Sequence, residues 1–147
     1  MKKRSGASST NEPPEPLVFF VDRSLGNKVV AGALRAAGAR VEIHDDHFST
    51  TALDEVWLDE VGRRGWVVLT KDRAIRYRAP ALAAIRGSGV RLFVLTAGDL
   101  QGGEMADVFA RALVRITTVA RREPAPFIAR VTRTGAVSLL LSARQLR

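Results

Sequence analysis

Short apolar runs alternate along this chain with stretches in which apolar residues recur every third or fourth position, and that alternation narrows the fold more than any other feature. The runs are Leu17 to Val21, Val41 to Ile43, Trp66 to Thr70 and Arg91 to Leu95. Continuous runs this short suit strands covered on both faces. Between them Val29, Val30, Ala33, Leu34 and Ala37 fall at helical spacing, with Gly38 as a stop. Leu53 to Arg64 predicts a second helix with Leu53, Val56, Trp57, Glu60 and Val61 on one side, and Pro80 to Arg86 a short third. Met105, Val108, Phe109, Ala112, Leu113 and Ile116 mark a long amphipathic helix. Strands alternating with helices predict an α/β fold in three layers, a mainly parallel central sheet flanked by helices. Right-handed crossovers would then set the strands' carboxyl ends on one edge, where ligands bind.

At 147 residues, with 46% apolar residues, the chain has room for one good core. Residues 1–16 (MKKRSGASSTNEPPEP) carry almost nothing apolar and read as a disordered leader. The domain proper is expected over 17–122. Phe127 to Val131 and Val137 to Leu141, around Arg133-Thr134-Gly135, read as a C-terminal β-hairpin, making 123–147 an extension of the same domain. That hairpin either extends the sheet or pairs with a second subunit, which keeps a homodimer open.

The chain has no cysteine and two histidines, so any metal must be held by oxygen, which favours Mg²⁺ or Mn²⁺. No apolar run approaches the roughly 18 to 20 residues of a membrane span, and the basic N-terminus leads into a polar stretch. A cytoplasmic protein is the expectation. The net charge is +8, from 23 Lys+Arg against 15 Asp+Glu. From Gln101 onward eight arginines face only Glu104, Asp107 and Glu123. A polyanion, nucleic acid first, would suit that surface. A solvated arginine-rich surface explains it equally well.

Three acids stand at equivalent places in the pattern. Asp22 ends the first run, Asp72 follows the third, and Asp54 opens the helix between them. Singly each has a plain reading, as a strand-end polar residue, a charged turn or an acid favoured by a helix N-terminus. Together they would converge on one sheet edge. Two carboxylates about 5 Å apart repel by roughly 3 kcal/mol at an effective dielectric of 20, and a divalent cation relieves that. Lys71 and Arg73 flank Asp72 and Tyr77 sits among arginines, which suits phosphate contact and base stacking. Ser24 reads as a helix N-cap. In HDDH, His44 to His47, neighbouring residues on a short loop seldom converge on one ion, so a substrate-contacting loop is the better reading. Trp57 and Trp66 read as core.

With these residues in place, VFFVDRSLG, VEIHDDHF and LDEVWLDEVGRRGWVVLTKDRAIRYR together resemble the PIN-like fold, in particular the VapC-like toxins and related small ribonucleases. The resemblance covers about Val18 to Thr118. It implies catalytic, metal-holding roles for Asp22, Asp54 and Asp72, Mg²⁺- or Mn²⁺-dependent RNA cleavage, and an antitoxin partner. The family pattern has a further acid, for which Asp45, Asp46, Glu55 and Asp59 compete. Asp46 ranks first, Glu55 second, and Asp59, a turn deeper in its helix, last. Arg111 and Arg115 on the long helix are the expected outer RNA contacts. No G-x-G-x-x-G follows the first strand and no G-x-x-x-x-G-K-[ST] occurs, so dinucleotide and P-loop sites lack their cradle. The rival from another class is a catalytically weak PIN-like protein that holds RNA or a partner.

Overall fold

The computed structural model describes residues 15–147, so nearly all of the expected leader lies outside the described residues. Eleven regular elements follow: β1 Val18–Val21, α1 Val29–Ala36, β2 Arg40–Ile43, α2 Asp54–Arg63, β3 Val67–Thr70, α3 Ala79–Ser88, β4 Arg91–Leu95, α4 Gly102–Arg122, β5 Phe127–Val131, β6 Val137–Leu141 and α5 Ala143–Leu146. The strands form one sheet in the order β2-β1-β3-β4-β5-β6. Every pairing is parallel except β5 with β6. The hairpin therefore extends the sheet, with β5 in parallel register on β4 and β6 closing the edge. Its turn works because Gly135 takes φ 84°, a conformation that strains any residue with a Cβ.

Two apolar layers sandwich the sheet. One joins Phe19, Val21, Val67, Leu69, Phe93 and Leu95 to α1 and α4, and the other joins Phe20, Val68, Leu92 and Val94 to α2 and α3. Alternate strand residues thus point into opposite layers, as the pleat requires. The uniform right-handed crossovers expected from sequence are not what forms. The β2-α2-β3 and β4-α4-β5 connections run the same way across the sheet but place their helices on opposite faces, so they differ in hand. The unusual one is the α4 crossover, since α4 lies beside α1 on the face that the other rightward helices leave bare.

Helix α2 departs from its predicted face. Trp57, Leu58 and Val61 are buried, whereas Leu53 and Val56 are exposed. The predicted polar loop at 44–51 opens with a 3₁₀ turn over His44–Asp46 that buries His44 and sets Phe48 against the core. The short helix α5 has no apolar periodicity to announce it. It is held by a capping box between Ser142 and Gln145 and by burial of Leu146.

Candidate active site

Strand β1 lies between β2 and β3, so the chain leaves β1 toward one side and returns on the other. At such a switch point the diverging connections open a crevice at the strands' carboxyl ends. Asp22 and Asp72 stand at its two lips. The ladder continues one residue past β1, with Asp22 N–H donating to the Leu69 carbonyl at 3.0 Å, which fixes the Asp22 backbone.

The fully buried Thr70 couples the two acids. Its hydroxyl donates to Asp22 Oδ2 at 2.7 Å and accepts from the Asp72 backbone N–H at 3.0 Å. Ser24 Oγ donates to the same Asp22 oxygen at 2.8 Å and accepts from Lys71 N–H at 3.0 Å. Each hydroxyl has one proton, so with both aimed at Asp22 the 3.0 Å contact between Ser24 and Thr70 is a close approach of oxygens and carries no proton. Ser24 is consequently no N-cap. It sits in the 3₁₀ turn Arg23–Leu25 and laces the end of β1 to the end of β3. Among the described residues, both donors to the Asp22 carboxylate engage Oδ2.

Asp54 and Asp72 meet through Arg78, a residue the sequence reading passed over. Arg78 Nε and Nη2 donate to Asp54 Oδ2 at 3.1 and 2.8 Å, and Nη2 also donates to Asp72 Oδ2. The Asp72 bond, with the Asp54 bonds and both charges behind it, pushes the Arg78 guanidinium above its usual range. The remaining oxygens are engaged too: Asp72 Oδ1 accepts Ala74 N–H at 3.1 Å, and Asp54 Oδ1 accepts Trp57 Nε1–H at 3.2 Å. Charge repulsion between these two acids therefore does not by itself call for a metal, because the fold supplies a cation of its own. Among the described residues no three Asp, Glu or His side chains converge closely enough to hold one ion.

The profile of the PIN-like domain matches residues 17–97, the segment that carries all three acids. The chain belongs to the PIN-like domain family. It is also 33% identical over 114 residues to "Putative ribonuclease VapC45" of Mycobacterium tuberculosis (strain ATCC 25618 / H37Rv), covering 75% of this chain and 82% of that protein. No solved structure matches it significantly.

In this PIN-like chain the other residues singled out from sequence are spread more widely. Arg73 donates to the Thr96 carbonyl at 3.3 Å, just past β4 and on the same sheet edge. Tyr77 is 72% exposed, with the Arg76 guanidinium 4.7 Å from its ring centroid. Lys71 is half-buried and contributes its backbone N–H to the Ser24 link. Arg115 donates to Gly135 in the turn after β5, and Arg111 is exposed one helical turn nearer the start of α4. Asp46 is exposed in the turn after β2, where its neighbour Asp45 is the acid that faces Arg23 and Asn27. Glu55 lines a groove with Phe48 and Val56. Asp59 turns away to Ser88 and Arg63. His47 meets Glu42 at 2.6 Å, and burial holds the His44 imidazole below its usual value. Trp57 is core as expected and adds an N–H to Asp54, while Trp66 is only partly buried under Arg64.

Thr70 and Arg78 are thus the two site residues missed. A polar residue closing an otherwise apolar, buried strand was a usable signal for the first. For Arg78 the sequence offered only its place in an arginine-rich run.

Proposed function

We propose that the chain is a metal-dependent endoribonuclease and the toxin of a type II toxin-antitoxin pair, acting in the cytoplasm. The observation that carries this reading is that Asp22 and Asp72 end neighbouring strands and are linked through Thr70, while Arg78 bridges Asp72 to Asp54 on the same edge. Kinship with a protein named as a ribonuclease supports it. The donor set is chemically suited to Mg²⁺ or Mn²⁺, since carboxylates and hydroxyls are hard oxygen ligands. Asp22, Asp54 and Asp72 would hold the cation, with Asp46 as the candidate auxiliary acid. When bound, the cation supplies activation of water for attack on a phosphodiester and charge stabilisation on the leaving oxygen.

The chain's own residues do the rest. Ser24 and Thr70 fix the Asp22 carboxylate by one oxygen, so that it does not rotate away from the crevice. Arg78 draws Asp54 and Asp72 together across the loop before α3. In this reading Lys71 and Arg73 meet phosphates, Tyr77 stacks a base, and Arg111 with Arg115 holds the strand farther out. Residues 123–147 complete the sheet of the same unit, and an antitoxin and a second copy of the chain are the proposed protein partners.

A second reading, a PIN-like protein that binds RNA without cleaving it, is favoured by the Arg78 bridge, which already occupies two of the acids. Incubating RNA with the protein in Mn²⁺, Mg²⁺ or chelator, alongside Asp22→Asn and Asp72→Asn, separates the two. The nuclease reading requires cleavage that disappears with the metal and with either variant while the fold survives. Binding without cleavage in every arm establishes the rival.

A further inference from the structure

Beside Asp22, on the side away from Arg78, the turns that follow β1 and β2 enclose a polar cleft. Arg23, Gly26, Asn27, His44, Asp45 and Thr50 line about 300 Å³. Both turns leave the carboxyl ends of parallel strands, so the cleft opens on the same edge as the acids. Its rim residues are exposed and its floor is His44, 3% exposed and packed by the rings of Phe20, Phe48 and Trp57.

The floor is chemically unfinished. Among the described residues His44 Nδ1 is buried with no hydrogen-bond partner, and Asp45 Oδ1, at 3.7 Å, stands beyond bonding range. Buried polar atoms are nearly always paired, so an orphan lining a cleft points to something that enters it. On the rim, the contacts to Asp45 are long as well. Arg23 Nε is 4.0 Å from Asp45 Oδ1 while its Nη1 donates to the Thr50 carbonyl, and Asn27 reaches Asp45 only at 3.5 Å. Gly26, at φ 80°, leaves the wall open: among the described residues, its chain neighbours aside, no atom lies within 4 Å of where a Cβ would stand.

We propose that this cleft is a nucleobase subsite selective for guanine. A lone phosphate would meet the Asp45 carboxylate, and a metal ion would meet the Arg23 guanidinium, so neither suits the pair. A base edge carrying donors on one side and acceptors on the other does. Guanine presents N1–H and N2–H side by side, which one carboxylate accepts together, and O6 with N7, which a guanidinium donates to together. Adenine and cytosine each give a carboxylate a single exocyclic amine, and uracil a single ring N–H. Unpaired RNA bases are read in this way on their exposed edges. That the guanine belongs to an RNA substrate rests on the ribonuclease reading; the cleft's selectivity does not.

Titration of the full-length protein with GMP, AMP, CMP and UMP in excess chelator, followed by calorimetry, tests the subsite without metal or cleavage. GMP should bind about tenfold or more tighter than the other three, since one bidentate edge contact gives discrimination of that order. Asp45→Asn leaves one acceptor in place of two and should bring GMP to within about threefold of AMP. Asn27→Ala, on the opposite rim, should weaken GMP while keeping its rank, and circular dichroism checks that both variants fold. Equal binding of all four nucleotides, no binding of any at millimolar concentration, or wild-type GMP binding by Asp45→Asn would each overturn the proposal. Selective GMP binding by a protein that cleaves no RNA would leave the subsite standing and refute the nuclease reading alone.

Discussion

At the scale of single residues, Arg78 does what a cation would do for Asp54 and Asp72, and it is tethered. Its side chain is 42% exposed, which leaves it room to leave the bridge. Replacing it by Gln should lower the metal-free melting temperature, because two neighbouring acids lose their shared partner. The same change should enlarge the rise in melting temperature on adding Mn²⁺, because the ion no longer competes with a guanidinium. Thermal scans of wild type and Arg78→Gln, with Mn²⁺ and with chelator, check both signs. A smaller Mn²⁺ response in the variant would mean that Arg78 helps hold the acids for the ion. Asp22 and Asp72 were legible in the sequence because each closes an apolar run that could only be a strand. Arg78 was not, because its partners lie 6 and 24 residues away and are chosen by how the loop before α3 folds back.

Among elements, the pairing of α2 with α3 matters most for Asp54, which opens α2. The two helices approach closely at Gly62, where an added Cβ would fall 2.7 Å from the Ser88 Cβ. One turn away Ser88 donates to Asp59, and that bond, with Arg63 behind it, holds the Asp59 carboxyl below its ordinary range. A depressed folded pKa contributes stability that is present above the unfolded value, near 3.8, and lost as pH falls through the folded value. Asp59→Asn should therefore melt below wild type at neutral pH, and the gap should close under acid conditions below about pH 4. Melting curves from pH 7 to pH 3 for both proteins decide this; a constant gap would assign the loss to packing. Helix and strand positions were readable here from periodicity, but the buried face of α2 was not. Leu53 and Val56 match the spacing, yet the sheet meets the helix through Trp57, Leu58 and Val61. The hand of the α4 crossover was equally hidden, since an apolar stripe says that a face is covered and not which face of the sheet covers it.

Over the whole molecule the +8 charge is carried unevenly, and α4 spans about 30 Å, from the acid-bearing edge to the opposite one. Arg115, just past the middle of α4, reaches the Gly135 carbonyl in the turn after β5, whereas Arg122, beside Glu123, ends the far side. If Arg111 and Arg115 each meet a phosphate of single-stranded RNA, replacing both by Gln should flatten the log–log salt slope of binding by about 1.4. An unchanged slope would return them to solvent or to a protein interface. The charge excess was plain from the sequence, but its division between the two ends of α4 needed the topology. If Asp22, Asp54 and Asp72 hold a divalent cation for RNA cleavage, a Mn²⁺ binding isotherm of wild type against Asp22→Asn and Asp72→Asn reads that out. Saturable binding by the wild type is expected, with affinity lower by roughly tenfold or more in each variant, about 1.4 kcal/mol for a lost carboxylate charge. Superimposable isotherms for the three proteins would contradict it.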